Sequence, residues 1–232
     1  MRATLVYDLP TRLFHWLFAG LFLLSFIIAK TVDVDSLVYS YHMLSGLVLG
    51  SVVVWRIVWG LIGSRHARFS GFNLNPFVLK DYFLEILSGS KKRWSGHNPA
   101  SSWAAIVMLL LASGLAITGY LMSTGDKEAV EDIHEFMANA FIIVVILHVT
   151  GVILHTLRHQ DTIVLSMIDG KKEISDSSDS ISTTHRFAAL VLLALVVSLG
   201  LFLFKNFDTQ TRALKVSGLT LQLGQSKAET ED

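Results

Sequence analysis

Apolar residues in this chain run in long, nearly unbroken stretches, and the polar residues gather between them. Five stretches stand out, at residues 13–29, 43–62, 103–123, 136–157 and 187–204. Each approaches or exceeds the roughly 20 residues that an α-helix needs to cross a ~30 Å hydrocarbon core. The pattern therefore predicts an all-α integral membrane protein with five transmembrane helices. Arg2 and Arg12 lie ahead of the first stretch, as they would in a signal peptide. No small-x-small cleavage pattern follows and four further spans do, so the first stretch is read as part of the mature protein.

Between the second and third spans, Asn75-Pro76 reads as a helix start with proline in the first turn. The apolar residues Phe77, Leu79, Phe83, Ile86 and Leu87 follow, predicting a short helix on the membrane surface. The stretch 175–184, rich in Ser and Asp, reads as a mobile linker into the fifth span.

Basic residues near span ends resist translocation, so their distribution gives an orientation. The N-terminal segment, the loop after span 2 and the loop after span 4 together hold twelve Lys and Arg, against only Lys30 and Lys127 in the intervening loops. The N-terminus is accordingly expected in the cytoplasm and the C-terminus outside. Lys205, Arg212, Lys215 and Lys227 in the tail run against this rule and weaken the reading of span 5 most.

Composition narrows the chemistry. Charged residues make up only 16% of the chain and the formal charge is zero, so no basic field is available to collect nucleic acid. There is no cysteine, which excludes disulfides, thiolate-bound iron–sulfur clusters and covalently attached haem. Any metal must be held by nitrogen and oxygen.

Histidine is the residue type the bilayer has to explain, because an imidazole in hydrocarbon is costly without a partner. His134 and His148 are fourteen residues apart on span 4. At ~100° and ~1.5 Å per residue they share a face, about 21 Å apart along the axis. Measured from the outer ends of their spans, His42 lies level with His134, and His15 lies level with His148. Each pair brings one imidazole from each of two helices to the same depth, as a six-coordinate haem iron requires. Copper or zinc fits less well, since two histidines leave coordination positions unfilled. A proton relay through the same residues stays open.

Gly46 and Gly50 follow His42 on its own face and would let a macrocycle approach, or simply let helices pack closely. Arg56, fourteen residues after His42, lies near the depth of the inner pair, where it could hold haem propionates or act as an interfacial anchor. Arg12 carries the same two readings. His155 fails to match the depth of His15, leaving it as an alternative ligand or a quinone-side proton carrier. His66, His97, His159 and His185 are expected mostly in solvent.

The segment Asp8-Leu9-Pro10-Thr11-Arg12-Leu13-Phe14-His15-Trp16 resembles the opening of the prokaryotic diheme cytochrome b family, which includes the membrane cytochrome b subunit of nickel-iron hydrogenases. His42 with Gly46, Arg56 with Trp59-Gly60, His66-Ala67-Arg68-Phe69, His97-Asn98-Pro99, Thr118-Gly119 and His134-Glu135 followed by His148 extend the resemblance over about residues 5 to 172. It implies a four-helix transmembrane bundle with two b-type haems, His15 and His148 binding the cytoplasmic one, His42 and His134 the periplasmic one. The fifth span and the tail depart from that pattern. The expected division is a haem domain at 1–172, a polar linker at 173–186, an additional transmembrane helix at 187–204 and a periplasmic tail at 205–232.

Two haems stacked across a bacterial inner membrane would pass electrons from one face to the other. Carrying an electron ~21 Å of the way against 100 mV involves only about 1.6 kcal/mol, so haem potentials would set the direction. The resemblance implies quinol or quinone as one reactant and a periplasmic cytochrome c or hydrogenase-like protein as the other. No nucleophile triad, phosphate loop or nicotinamide fingerprint is present. Two alternatives remain: a proton-coupled transporter using the histidines, and a membrane anchor that docks a soluble redox enzyme through span 5 and the tail.

Overall fold

The computed structural model describes residues 3–89, 94, 96–125, 127–160, 163–173, 179–216 and 218–224. Its long helices are α1 (Leu9–Thr31), α2 (Ser40–Ile62), α4 (Pro99–Ser123), α5 (Lys127–His159) and α7 (Arg186–Asn206). All five are long and apolar enough to cross a membrane, α7 having the highest mean hydropathy at 2.9. The expected all-α membrane architecture is therefore observed, and the basic tail does not detract from the fifth span. Shorter elements are α3 (Pro76–Leu87), α6 (Ser166–Asp169), the strands β1 (Ala3–Leu5) and β2 (Lys171–Glu173), and the tail strands β3 (Phe207–Asp208), β4 (Ala213–Val216) and β5 (Leu219–Gln222).

The helices begin earlier than hydropathy alone places them because polar caps and prolines extend them. All three prolines of the chain, Pro10, Pro76 and Pro99, lie in first turns, where the missing N–H has no intrahelical partner to lose. Each follows an Asx cap. Asp8 Oδ1 accepts from Thr11 N at 2.8 Å, Asn75 Oδ1 from Phe77 N at 2.9 Å, and Asn98 Oδ1 from Ser101 N at 2.8 Å. At the other end of α5, Arg158 and His159 complement the helix dipole. Leu110, Ile117, Ile143, Leu147, Leu190 and Leu201 leave large apolar side chains exposed along the spans, as lipid-facing residues do.

The chain divides into two compact units, each described by itself. The first comprises Met1–His15, Trp55–Leu110 and Phe141–Ala189. In it β1 pairs antiparallel with β2, Leu5 opposite Lys171, and the N–H groups of Val6 and Tyr7 donate to Gly170 O. Gly170 holds φ at 79°, and a Cβ there would meet Tyr7 O at 2.5 Å, so only glycine closes this corner. The segment read as a mobile linker lies partly outside the described residues. Its described part is tethered: Ile181 N donates to Leu5 O, Thr184 O accepts from Leu9 N, and Asp179 pairs with Arg65 at 2.7 Å.

The second unit comprises Trp16–Val54, Leu111–Ala140 and Leu190–Asp232. Its tail, read from sequence as a periplasmic tail without structure of its own assigned to it, carries the antiparallel sheet β3-β4-β5. Phe207, Leu214, Leu221 and Leu223 of this tail pack on Leu44 and Val48 of α2 and Leu203 of α7, forming a buried cluster. Gly50 of α2 and Gly114 of α4 mark close approaches, with Ala116 and Met137 respectively in their way if a Cβ is added.

Candidate haem site

His42 lies in the first turn of α2 and His134 in the second turn of α5, both in the second unit. Their ring centroids are 6.2 Å apart, with ring planes at 78°. A metal–imidazole bond of about 2 Å on each side, with about 1 Å from each nitrogen to its ring centre, places two axial imidazoles about 6 Å apart. The observed separation fits one metal atom between the rings. Planes that share a ligand–metal–ligand axis are free to cross at any angle, so 78° is compatible with it.

Polar contacts fix both rings. His42 Nδ1 lies 2.9 Å from Ser25 O on α1; a carbonyl only accepts, so Nδ1 carries the proton and Nε2 is left with its lone pair for a metal. Ser25 Oγ and Ser45 Oγ are 2.6 Å apart, and Ser45 Oγ donates to His42 O at 3.0 Å. His134 Nδ1 lies 2.8 Å from Thr118 Oγ1 of α4. A Cβ on Gly119 would touch His134 Cε1 at 3.5 Å, an ordinary van der Waals distance. Nothing lies within 4 Å of a Cβ built on Gly46, one turn beyond His42, so that face is open for a flat macrocycle. A Cβ added to Gly50 would instead meet Ala116 Cβ at 3.4 Å, so this glycine serves helix packing. At the rim Lys30 pairs with Glu135 at 2.9 Å, with both side chains well exposed.

His15 and His148 fall together in the first unit, half-buried and within electrostatic reach of each other. Arg56 belongs to the same unit. It is 6% exposed, and its guanidinium carbon lies 4.7 Å from the ring centre of Phe69, 5.7 Å from Phe14 and 5.8 Å from Phe72. Three aromatic faces favour the cation but accept no conventional hydrogen bond, and Arg56 Nη1 is buried without a hydrogen-bond partner. A buried guanidinium N–H left without an acceptor is costly, and an anionic group such as a propionate would satisfy it. Arg12 donates from Nη1 to Ile168 O, while its Nε is buried without a hydrogen-bond partner.

His97 was expected in solvent, and the structure corrects this. It packs between Phe72, with ring centres 4.6 Å apart, and Tyr7, at 5.6 Å. Burial first, then the charges of Lys172 and Arg56, push its pKa down to about 3. Lys172 Nζ is itself held by Trp94 O at 2.8 Å and Gly96 O at 2.7 Å. His66 is partly buried too, 2.6 Å from Asp179 O, whereas His185 is exposed. The signs in the sequence were the place of His97 in the His97-Asn98-Pro99 run of the family resemblance and its position immediately before the Asn98 cap of α4. His155 and His159 stack on the last turns of α5, ring centres 4.1 Å apart and planes at 17°.

A sequence profile described as prokaryotic cytochrome b561 matches residues 6–170, about seven-tenths of the chain. A protein of Rhodobacter capsulatus named "Probable Ni/Fe-hydrogenase B-type cytochrome subunit" is 23% identical over 74% of this chain and 82% of its own length. Relatives bearing the same name in Bradyrhizobium diazoefficiens and Cupriavidus necator are each 23% identical, covering 74% and 76% of this chain and 86% and 89% of their own lengths. No solved structure matches the chain.

Proposed function

Because the chain belongs to the prokaryotic cytochrome b561 family, and is thus a multi-pass membrane electron-transfer cytochrome of the b-haem type, we propose that it carries two haems and passes electrons across the membrane. Haem supplies reversible one-electron iron chemistry, and the protein supplies axial ligands, burial and nearby charge. In this reading His42 and His134 hold one haem and His15 and His148 the other, with Arg56 and Arg12 placed to receive propionates of the second. The single observation carrying the proposal is the 6.2 Å separation of the His42 and His134 rings, one from each of two helices.

The remaining parts follow from charge and from the relatives. The basic loops favour a cytoplasmic N-terminus and a periplasmic C-terminus, which puts the His42–His134 pair near the outer face. Quinol or quinone in the bilayer is the proposed reactant at one haem. A periplasmic redox protein of the hydrogenase or cytochrome c type is proposed at the other, the hydrogenase being favoured by the names of the relatives. Residues 1–172 form the proposed haem domain, with 187–204 as an added span and 205–232 as an outer-face extension.

The test is a haem-to-protein ratio by pyridine haemochrome on detergent-purified protein, with a reduced-minus-oxidised spectrum. Two low-spin b-type haems are expected in the parent, and one in folded His42→Ala or His134→Ala variants. Two haems retained in both variants would overturn the assignment.

A further inference from the structure

The hydrogen bonding of Thr118 fixes more than a helix contact. Its side chain is buried, 6% exposed, in the sixth turn of an apolar span that supplies no haem ligand in the reading above. Three groups surround Oγ1: Gly114 O at 2.8 Å, Leu115 O at 3.3 Å and His134 Nδ1 at 2.8 Å. A hydroxyl has one proton, and helix carbonyls can only accept. The proton therefore points to the Gly114 and Leu115 carbonyls, and an oxygen lone pair faces His134. Nδ1 must then be the protonated nitrogen, donating to Thr118, which leaves Nε2 unprotonated.

We infer that Thr118 is a positioning residue for His134: it holds the ring as the Nδ1–H tautomer, aims Nε2 at the metal position and raises the donor strength of the imidazole. The inference rests on the reading of His42 and His134 as axial ligands. It goes beyond that reading in assigning α4 a part in setting the potential of one haem. A hydrogen bond from the far nitrogen of a ligating imidazole fixes ring orientation and increases ligand basicity. Greater basicity favours ferric over ferrous iron, so Thr118 lowers the potential of this haem. The matching acceptor on His42 is the main-chain carbonyl of Ser25, which no substitution at Ser25 removes. Thr118 is thus the side chain through which this pair can be tuned.

The experiment compares parent, Thr118→Val and Thr118→Ser in the haem-loaded, detergent-purified cytochrome. Potentiometric titration resolves the two haems, and the haem-to-protein ratio is read in parallel. Thr118→Val keeps the shape and removes the acceptor. The expected result is a rise in the midpoint of one haem only, a threefold to tenfold shift of its redox equilibrium toward the reduced form. That corresponds to about 28–59 mV at 59 mV per tenfold for one electron. Thr118→Ser keeps the hydroxyl and restores the parent potential.

Unchanged midpoints in Thr118→Val would overturn the inference, leaving Thr118 as a helix back-bond only. Equal shifts in Val and Ser, or equal shifts of both haems, would also overturn it, because a general packing effect does not discriminate in that way. If Thr118→Val does not fold, Thr118→Ala carries the same comparison against Ser. Failure of the ligand assignment itself is seen separately, as retention of both haems in His134→Ala.

Discussion

Trp59 donates its indole N–H to Asp8 Oδ2 at 3.1 Å, while the other carboxylate oxygen of Asp8 accepts from Thr11 N at 2.8 Å. One fully buried carboxylate thereby starts α1 and fastens it to the end of α2. Asp8 is also the opposite charge that acts on Arg56. Replacing Asp8 by Ala removes a cap worth about 1 kcal/mol and leaves the Trp59 N–H buried without its acceptor, at about 1–3 kcal/mol more. Asp8→Ala should therefore lower the thermal midpoint of the detergent-solubilised protein clearly. Asp8→Asn, whose single amide oxygen can accept only one of the two bonds, should fall between; a variant as stable as the parent would show that neither bond matters.

Arg56 is ringed by aromatic faces and has Asp8 as its opposite charge, yet its Nη1 keeps no hydrogen-bond partner and can receive an anion or act on a nearby haem. Were a haem held by His15 and His148, a positive charge at a separation of about 10 Å and an effective dielectric near 20 would stabilise its reduced form by roughly 1–2 kcal/mol. Arg56→Gln is expected to lower the midpoint of the haem proposed at His15 and His148, a shift of about 5–30-fold in its redox equilibrium. Arg56→Lys keeps the charge and should stay close to the parent. Potentiometry on both variants checks this, and a Gln variant with the parent's two midpoints would remove Arg56 from the site.

His97 makes stability depend on acid. Its folded pKa of about 3 lies below the ordinary value of 6.5, so between these limits the unfolded chain binds a proton that the folded chain does not. Stability is complete above about pH 6.5 and is lost as pH falls, with a slope of at most ~1.4 kcal/mol per unit for this one group. Thermal midpoints from pH 7.5 to 4.5 should fall less steeply in His97→Phe than in the parent. Parallel curves would mean that His97 is not the group that titrates.

The level of His42 with His134 could be read from the sequence because each lies at the outer end of its span, and span ends that meet the same face of the membrane lie level. The five spans were legible because each is an apolar run of about the length a helix needs to cross. Thr118 entered only within the Thr118-Gly119 pair of the family resemblance and was given no role, although a hydroxyl in an apolar span must find a partner; the partner came from another helix, sixteen residues on, and spacing gives no register between helices. His97 was placed in solvent because it lies outside every apolar run, yet Tyr7 and Phe72 fold over it from two separate segments. The tail strands escaped notice because each has at most four residues and their pairing is created by the surface they cover.

That surface gives the last prediction. Leu214 and Leu223 are each 1% exposed, and with Phe207 and Leu221 they cover Leu44 and Val48, two and six residues after His42. Lys215 and Thr220 point away from this cluster into solvent. Leu214→Ala opens a cavity in it at a cost of about 2–5 kcal/mol, whereas Thr220→Ala should change stability by no more than ~0.5 kcal/mol. Because the cluster is built on the turns of α2 that follow His42, loosening it should also release one haem faster than the other on dilution into apo-myoglobin as a haem acceptor. Ending the chain after Asn206 should do both more strongly. If the truncated protein keeps the parent's thermal midpoint and loses its two haems at the parent's rates, the sheet is an appendage to the outer end of α2 and does not support it.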